Sequence, residues 1–313
     1  MDALLNIVII VISFSLIIWG GDKFVDSCIY YASKFKIPTP IVGATITSIG
    51  TTLPELLVTI FSGTHGASGV ALGNALGSII FNTCIIGGIL IFCLNVKKKS
   101  ESSTPAFLLV FSVVIVSIMC FNQVLEIYEC LILLALFAVF VFLNFMNAKK
   151  QMAHPKSADT ITSKKIKLPL LFLILSALAI GTGAHFAVES ATALAKLAGL
   201  SDTFIGLTIV SLGTSLPELI TTLSAIRKKE AGLGLGNIIG SNIINCTLLC
   251  ALSGLFAGSL IISSQTLAIG IPFAMISVLI LLIPYIKGKT SHKNQSIILF
   301  TLFAIYYALL ILS

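Results

Sequence analysis

One long segment occurs twice in this chain, and that constrains its fold more than any other feature. Residues 43–82 read GATITSIGTTLPELLVTIFSGTHGASGVALGNALGSIIFN, and residues 206–245 read GLTIVSLGTSLPELITTLSAIRKKEAGLGLGNIIGSNIIN. A shift of 163 (206 minus 43) aligns the two without a gap, and nearly half of the 40 positions are identical. Self-similarity at a fixed offset marks a repeated structural unit.

The solvent of that unit follows from composition. Of 313 residues 57% are hydrophobic and 10% charged, against about 25% charged in soluble domains. Ten apolar stretches approach the roughly 20 residues that a bilayer span requires: 3–21, 39–62, 69–94, 105–121, 126–147, 168–195, 203–226, 231–258, 264–286 and 294–312. Five fall in each half, and because five is odd the second copy enters the membrane from the opposite side. Inverted repeats of this kind belong to secondary transporters, which hold substrate near the midplane where the copies meet. The expected fold is an all-α membrane protein of ten transmembrane helices in two inverted five-helix repeats, 1–148 and 168–313. A cytoplasmic linker, 149–167, joins them, and helices 2, 3, 7 and 8 are expected to be discontinuous around a central ion site.

The net charge of +7 does not indicate a nucleic-acid partner, because the charges are arranged by membrane side. With the N-terminus outside, the cytoplasmic loops hold Lys23, Lys34, Lys36, the runs 97–99 and 149–167, Arg227–Lys229, Lys287, Lys289 and Lys293. These account for 18 of the 19 basic residues, leaving Lys196 outside. Such a bias sets topology and places both termini outside a cell membrane. The start, Met1 and Asp2, lacks a basic leader region, so the first stretch reads as a retained span. Seven cysteines form no C-x-x-C pair and read as small buried apolar residues.

Of twelve acidic residues, ten lie in loops or near span ends. Glu55 and Glu218 sit deep in spans 2 and 7, at equivalent repeat positions. A carboxylate at the bilayer centre costs at least ~2.5 kcal/mol and is normally functional, and no Lys or Arg lies at matching depth. Pro54 and Pro217 precede the acids, and proline removes the hydrogen bond to the carbonyl four residues back, here Gly50 and Gly213. Thr51 with Glu55, Thr214 with Glu218, Ser78 with Asn82, and Ser241 with Asn245 are each four apart and share a helix face. Gly73 with Gly77, and Gly236 with Gly240, form faces that admit close backbones. Carboxylates, carbonyls, hydroxyls and amides make a hard oxygen set suited to calcium, sodium or magnesium, whereas zinc and copper favour imidazole or thiolate. Of the three, magnesium fits a dehydrated cage less well because it gives up its waters reluctantly.

At these residues the chain resembles the cation/calcium exchanger superfamily, in its sodium/calcium exchanger branch of prokaryotic type. The motif G-T-[ST]-L-P-E stands as 50–55 and 213–218, and G-N-x-x-G-S-x-x-x-N as 73–82 and 236–245. The resemblance implies alternating access, with calcium held by Glu55, Glu218 and the carbonyls of Thr51 and Thr214. It also implies one sodium site of Ser48, Thr51, Thr52, Glu55 and Ser78, and a mirror site of Ser211, Thr214, Ser215, Glu218 and Ser241. Asn82 and Asn245 would flank the centre. Spans 1 and 6 would slide as a pair, eased by Gly20, Gly21, Gly181 and Gly183. Relatives that co-transport potassium carry aspartate near the position of Asn245, and proton/calcium members carry Asn rather than Pro beside the acid.

The leading expectation is therefore a sodium-for-calcium antiporter acting as a single chain, with calcium and sodium ions and the bilayer as partners and no cofactor. Proton or potassium coupling on the same scaffold is the nearest alternative, and a calcium channel is a further one. A membrane hydrolase would need a nucleophile or a catalytic-metal signature beside the two acids, and the motifs supply neither.

Overall fold

A computed structural model describes residues 3–64, 68–94, 96, 104–153, 168–199 and 210–312. In hydrocarbon every backbone N–H and C=O must find a partner within the protein, so apolar stretches of this length fold as helices. The chain forms α1 (Ala3–Phe35), α2 (Thr39–Thr51), α3 (Leu53–Thr64), α4 (Ser68–Phe81), α5 (Gly87–Cys93), α6 (Thr104–Met119) and α7 (Ile127–Ala153). After residue 167 come α8 (Pro169–Leu197), α9 (Ser211–Thr214), α10 (Leu216–Arg227), α11 (Ala231–Ile244), α12 (Cys250–Ala257), α13 (Ile271–Ile286) and α14 (Lys293–Leu312).

Among the described residues eight helices are long and apolar enough to cross a membrane, and the bent pair α2–α3 makes a ninth. Part of the expected span 203–226 lies outside the described residues. Most of the linker, 154–167, does too.

Burial separates central from peripheral helices. The run Ala231–Ala257 is 83% buried and Leu72–Cys93 is 72% buried, whereas α1, α6, α7, α8, α13 and α14 range from 17% to 39%. The peripheral helices turn large apolar residues such as Phe111, Phe145 and Leu312 outward, while Ser, Thr, Asn and Glu side chains are buried in the interior beside the apolar core. Outward-facing apolar side chains are what a bilayer solvent favours.

Two helix interruptions were expected from the prolines, and both occur. α2 ends and α3 begins at Thr52 (φ −83°, ψ 5°), with a bend of 45°. α9 passes into α10 at Ser215 with nearly the same dihedrals (φ −87°, ψ 4°). Proline at the second position of each new helix cannot donate backward, so the chain restarts there.

The discontinuity expected in spans 3 and 8 is not seen, which corrects that part of the expectation. Leu72–Cys93 and Ala231–Ala257 are continuous helices. Each is instead widened by one π turn, Asn82–Ile86 and Asn245–Leu249. A π turn inserts one residue without breaking the backbone ladder and is frequent at functional sites.

α1 and α8 cross antiparallel at two glycines. A Cβ on Gly20 would meet Ile180 Cγ1 and the Ser176 carbonyl, both at 3.0 Å; one on Gly183 would meet Ile17 Cγ1 at 2.7 Å and the Ser13 carbonyl at 3.0 Å. Shifting either set of residues by 163 gives the other. Gly21 abuts Ile220 of α10, while a Cβ on Gly181 would meet nothing within 4 Å. α1 is longer than its expected span because its polar continuation is anchored. Asp22 Oδ1 accepts from Arg227 Nη2 (3.0 Å), and Asp26 Oδ1 from Lys228 Nζ (3.0 Å).

α2 meets α11 backbone to backbone. Cβ atoms at Gly43 and Gly236 would collide with the carbonyls of Leu233 and Pro40, and one at Gly240 with the Ser48 side chain. The small-residue face is thus used at Gly236 and Gly240. At Gly73 no described atom lies within 4 Å of an added Cβ, and Gly206, the counterpart of Gly43, lies outside the described residues. A two-residue antiparallel ladder, β1 (Val124–Leu125) with β2 (Leu260–Ile261), is the sole strand pair among the described residues.

Candidate ion site

Both acids lie at the starts of the restarted helices, Glu55 in α3 and Glu218 in α10, and both are fully buried. Among the described residues neither forms an ion pair with Lys, Arg or His. Each is hydrogen-bonded instead by a hydroxyl from the opposite repeat. Thr52 Oγ1 donates to Glu218 Oε1 (3.1 Å), and Ser215 Oγ donates to Glu55 Oε1 (3.3 Å). Thr52 and Ser215 are the two break residues, so the same interruption that restarts each helix turns its hydroxyl toward the facing copy.

The second hydroxyl layer is mirrored in part. Ser241 Oγ lies 3.0 Å from Thr52 Oγ1 and 3.2 Å from Glu218 Oε1, and Ser78 Oγ lies 3.0 Å from Ser215 Oγ. Thr51 Oγ1 donates to Asn237 Oδ1 (3.2 Å), and Thr214 Oγ1 to Asn74 Oδ1 (3.2 Å). Thr52 and Ser215, Ser78 and Ser241, Asn74 and Asn237 are all pairs separated by 163. Burial of polar groups at this density is costly unless each finds a partner. Yet among the described residues Glu55 Oε2, Glu218 Oε2, Asn82 Oδ1 and both amide atoms of Asn245 have none. The oxygens among them are unfilled acceptors contributed by both repeats, the kind of group that an oxygen-lined cation site would use.

Thr51, Thr52, Glu55, Ser78, Asn82, Thr214, Ser215, Glu218, Ser241 and Asn245 are all buried as expected. The hydroxyls of Thr52 and Ser215 cross to the other copy's acid, Glu218 and Glu55. Ser48 is buried but donates to the Thr45 carbonyl (3.1 Å) and packs against Gly240. The Ser211 side chain lies outside the described residues.

Asn74 and Asn237 were not singled out from the sequence, although a signal existed: each stands four residues before Ser78 or Ser241, on the same helix face. Asn242 and Thr83 had no such signal, because their repeat counterparts are Ile79 and Cys246.

Comparison with known proteins adds the lineage. Residues 5–146 and 168–312 match the sodium/calcium exchanger protein family. The chain belongs to that family. Exchangers of this kind are membrane transporters and not enzymes. The sodium/calcium exchanger MaX1 of Methanosarcina acetivorans is 30% identical over 344 residues, covering 97% of this chain and 98% of that one. Inner membrane protein YrbG of Escherichia coli is 32% identical over 264 residues, 80% of each. The sodium-calcium exchanger NCX_Mj, in crystals soaked with sodium and strontium, superposes with a TM-score of 0.83 at 25% identity, over 98% of this chain and 99% of that one. The family match spans both halves of the chain.

Proposed function

We propose that this exchanger moves sodium against calcium by alternating access, through ten transmembrane helices arranged as two inverted five-helix repeats. The repeats are 1–148 and 168–313, joined by the cytoplasmic segment 149–167, with both termini outside and one chain sufficient for transport. Support for the inversion comes from contacts that map onto one another under the 163-residue shift, in the acid site and at the α1–α8 crossing.

Calcium is held by Glu55, Glu218 and the carbonyls of Thr51 and Thr214, with Asn82 and Asn245 flanking. Sodium uses Ser48, Thr51, Thr52, Glu55 and Ser78 on one side, and Ser211, Thr214, Ser215, Glu218 and Ser241 on the other. Because Thr52 bonds Glu218 and Ser215 bonds Glu55, the two sodium sets interlock through the acids.

One observation carries this reading: two fully buried carboxylates that, among the described residues, have no cationic side chain beside them and each keep one oxygen unpartnered. Removing two negative charges from water costs several kcal/mol per ion unless they are compensated. One calcium, or two or more sodium ions, supplies that compensation, while an empty pair does not. The loaded states are therefore favoured over the empty one, and a carrier of this kind exchanges ions instead of leaking them. Since each half of the site comes from a different repeat, movement of α1 and α8 against the bundle can expose it to one side at a time.

Membrane vesicles loaded with sodium should take up calcium in proportion to the outward sodium gradient. Uptake that ignored sodium but followed a proton or potassium gradient would replace the coupling ion. Fluxes far above carrier rates would indicate a channel.

A further inference from the structure

The two flanking asparagines occupy equivalent positions but unequal surroundings. Asn82 Nδ2 donates to Asn242 Oδ1 (3.2 Å), and Asn242 Nδ2 donates in turn to Thr83 Oγ1 (2.8 Å). All three residues are fully buried. The chain of bonds consumes the N–H side of the Asn82 amide and leaves its Oδ1 without a partner. On the opposite copy the orienting residue is replaced: Ile79 stands where Asn242 does, Cys246 where Thr83 does, and among the described residues Asn245 keeps both amide atoms unpartnered.

An amide beside a cation helps only when its oxygen faces the ion; reversed, it presents two N–H donors and repels it. Residues that fix a ligand's orientation from behind commonly change metal affinity about 10–100-fold when removed. Given the cation site proposed above, we infer that Asn242, held by Thr83, is a positioning residue that commits the Asn82 oxygen to the transported cation. Asn245, with no such support, is the adaptable ligand of the pair. Asn242 and Thr83 thus act on affinity without touching the ion.

The test uses purified full-length protein in sodium-loaded vesicles, with calcium as the probe, reading KM and maximal rate separately. Asn242→Leu and Thr83→Val should each raise the calcium KM about ten-fold with the maximal rate little changed. Thr83→Ser, which keeps the hydroxyl, should stay near wild type. Thr83→Val removes one hydroxyl at nearly constant shape, so it decides the matter even if Asn242→Leu folds poorly. A Thr83→Val KM equal to that of Thr83→Ser overturns the proposal, as does a fall in maximal rate with KM unchanged. Wild-type vesicles that show no sodium-dependent calcium uptake would instead overturn the reading of the whole site.

Discussion

The two repeats agree closely around the acids and diverge one helical turn further on. Thr51–Asn237 matches Thr214–Asn74, both at 3.2 Å, and Thr52–Glu218 matches Ser215–Glu55. Beyond that ring the copies part. Asn237 Nδ2 donates to Thr221 Oγ1 (3.2 Å), while Asn74 Nδ2 has no partner among the described residues, Val58 standing where Thr221 does in the other copy. Symmetry is thus kept around the two buried acids and relaxed in the residues that support them; on the proposed function, that relaxation would let the two halves differ in affinity without altering the charge.

The largest effect should come from the symmetric ring. Glu55→Gln or Glu218→Gln removes half of the negative charge, and each should abolish calcium transport, a loss above about 100-fold, while the protein still inserts and purifies. Transport surviving in one variant alone would break the equivalence of the two acids. Next is the close approach of α2 and α11. Gly236→Ala forces a methyl group into the Pro40 carbonyl and should lower stability by about 1–3 kcal/mol.

Third come the crossed hydroxyls. Thr52→Ala and Ser215→Ala each remove one hydrogen bond to a carboxylate and should weaken calcium binding by about 1.5–3 kcal/mol at most. The two losses should be similar, and a large inequality would show that crossing matters on one side alone. Asn245→Asp should have a smaller and different effect: it adds a titratable charge, so uptake should become more pH-dependent and fall as acidification protonates the new carboxylate. The smallest belongs to Asp22→Asn, which releases the ion pairs with Arg227 and Lys228 from the middle of α1. Its partly exposed partners limit the change to about 1 kcal/mol, readable as a shift in the salt dependence of stability.

Much of the ring was legible in the chain because its chemistry is written twice. Glu55 and Glu218 stand out as deep charges without a counterion, and Pro54 and Pro217 mark where the helices restart, two residues earlier at Thr52 and Ser215. The π turns at Asn82 and Asn245 were not legible, because their sequences differ in no composition rule from ordinary helix. Spacing of four places Thr52 near its own copy's motif, but it cannot reveal that the bend turns the hydroxyl toward the facing repeat. Asn242 and Thr83 escaped notice for the opposite reason: they lie where the copies differ, and a reading guided by self-similarity passes over them. The polar extension of α1 beyond residue 21 is stabilised by α10, and no local pattern announces a tertiary anchor.

Equilibrium binding of calcium to the purified protein, measured at rising sodium concentration, tests the central claim most directly. Sodium should displace calcium from the wild-type protein, and neither Glu55→Gln nor Glu218→Gln should retain wild-type calcium affinity. Calcium that stays bound regardless of sodium, or that binds either variant as tightly as wild type, would contradict the idea that these two acids are balanced by exchanging ions.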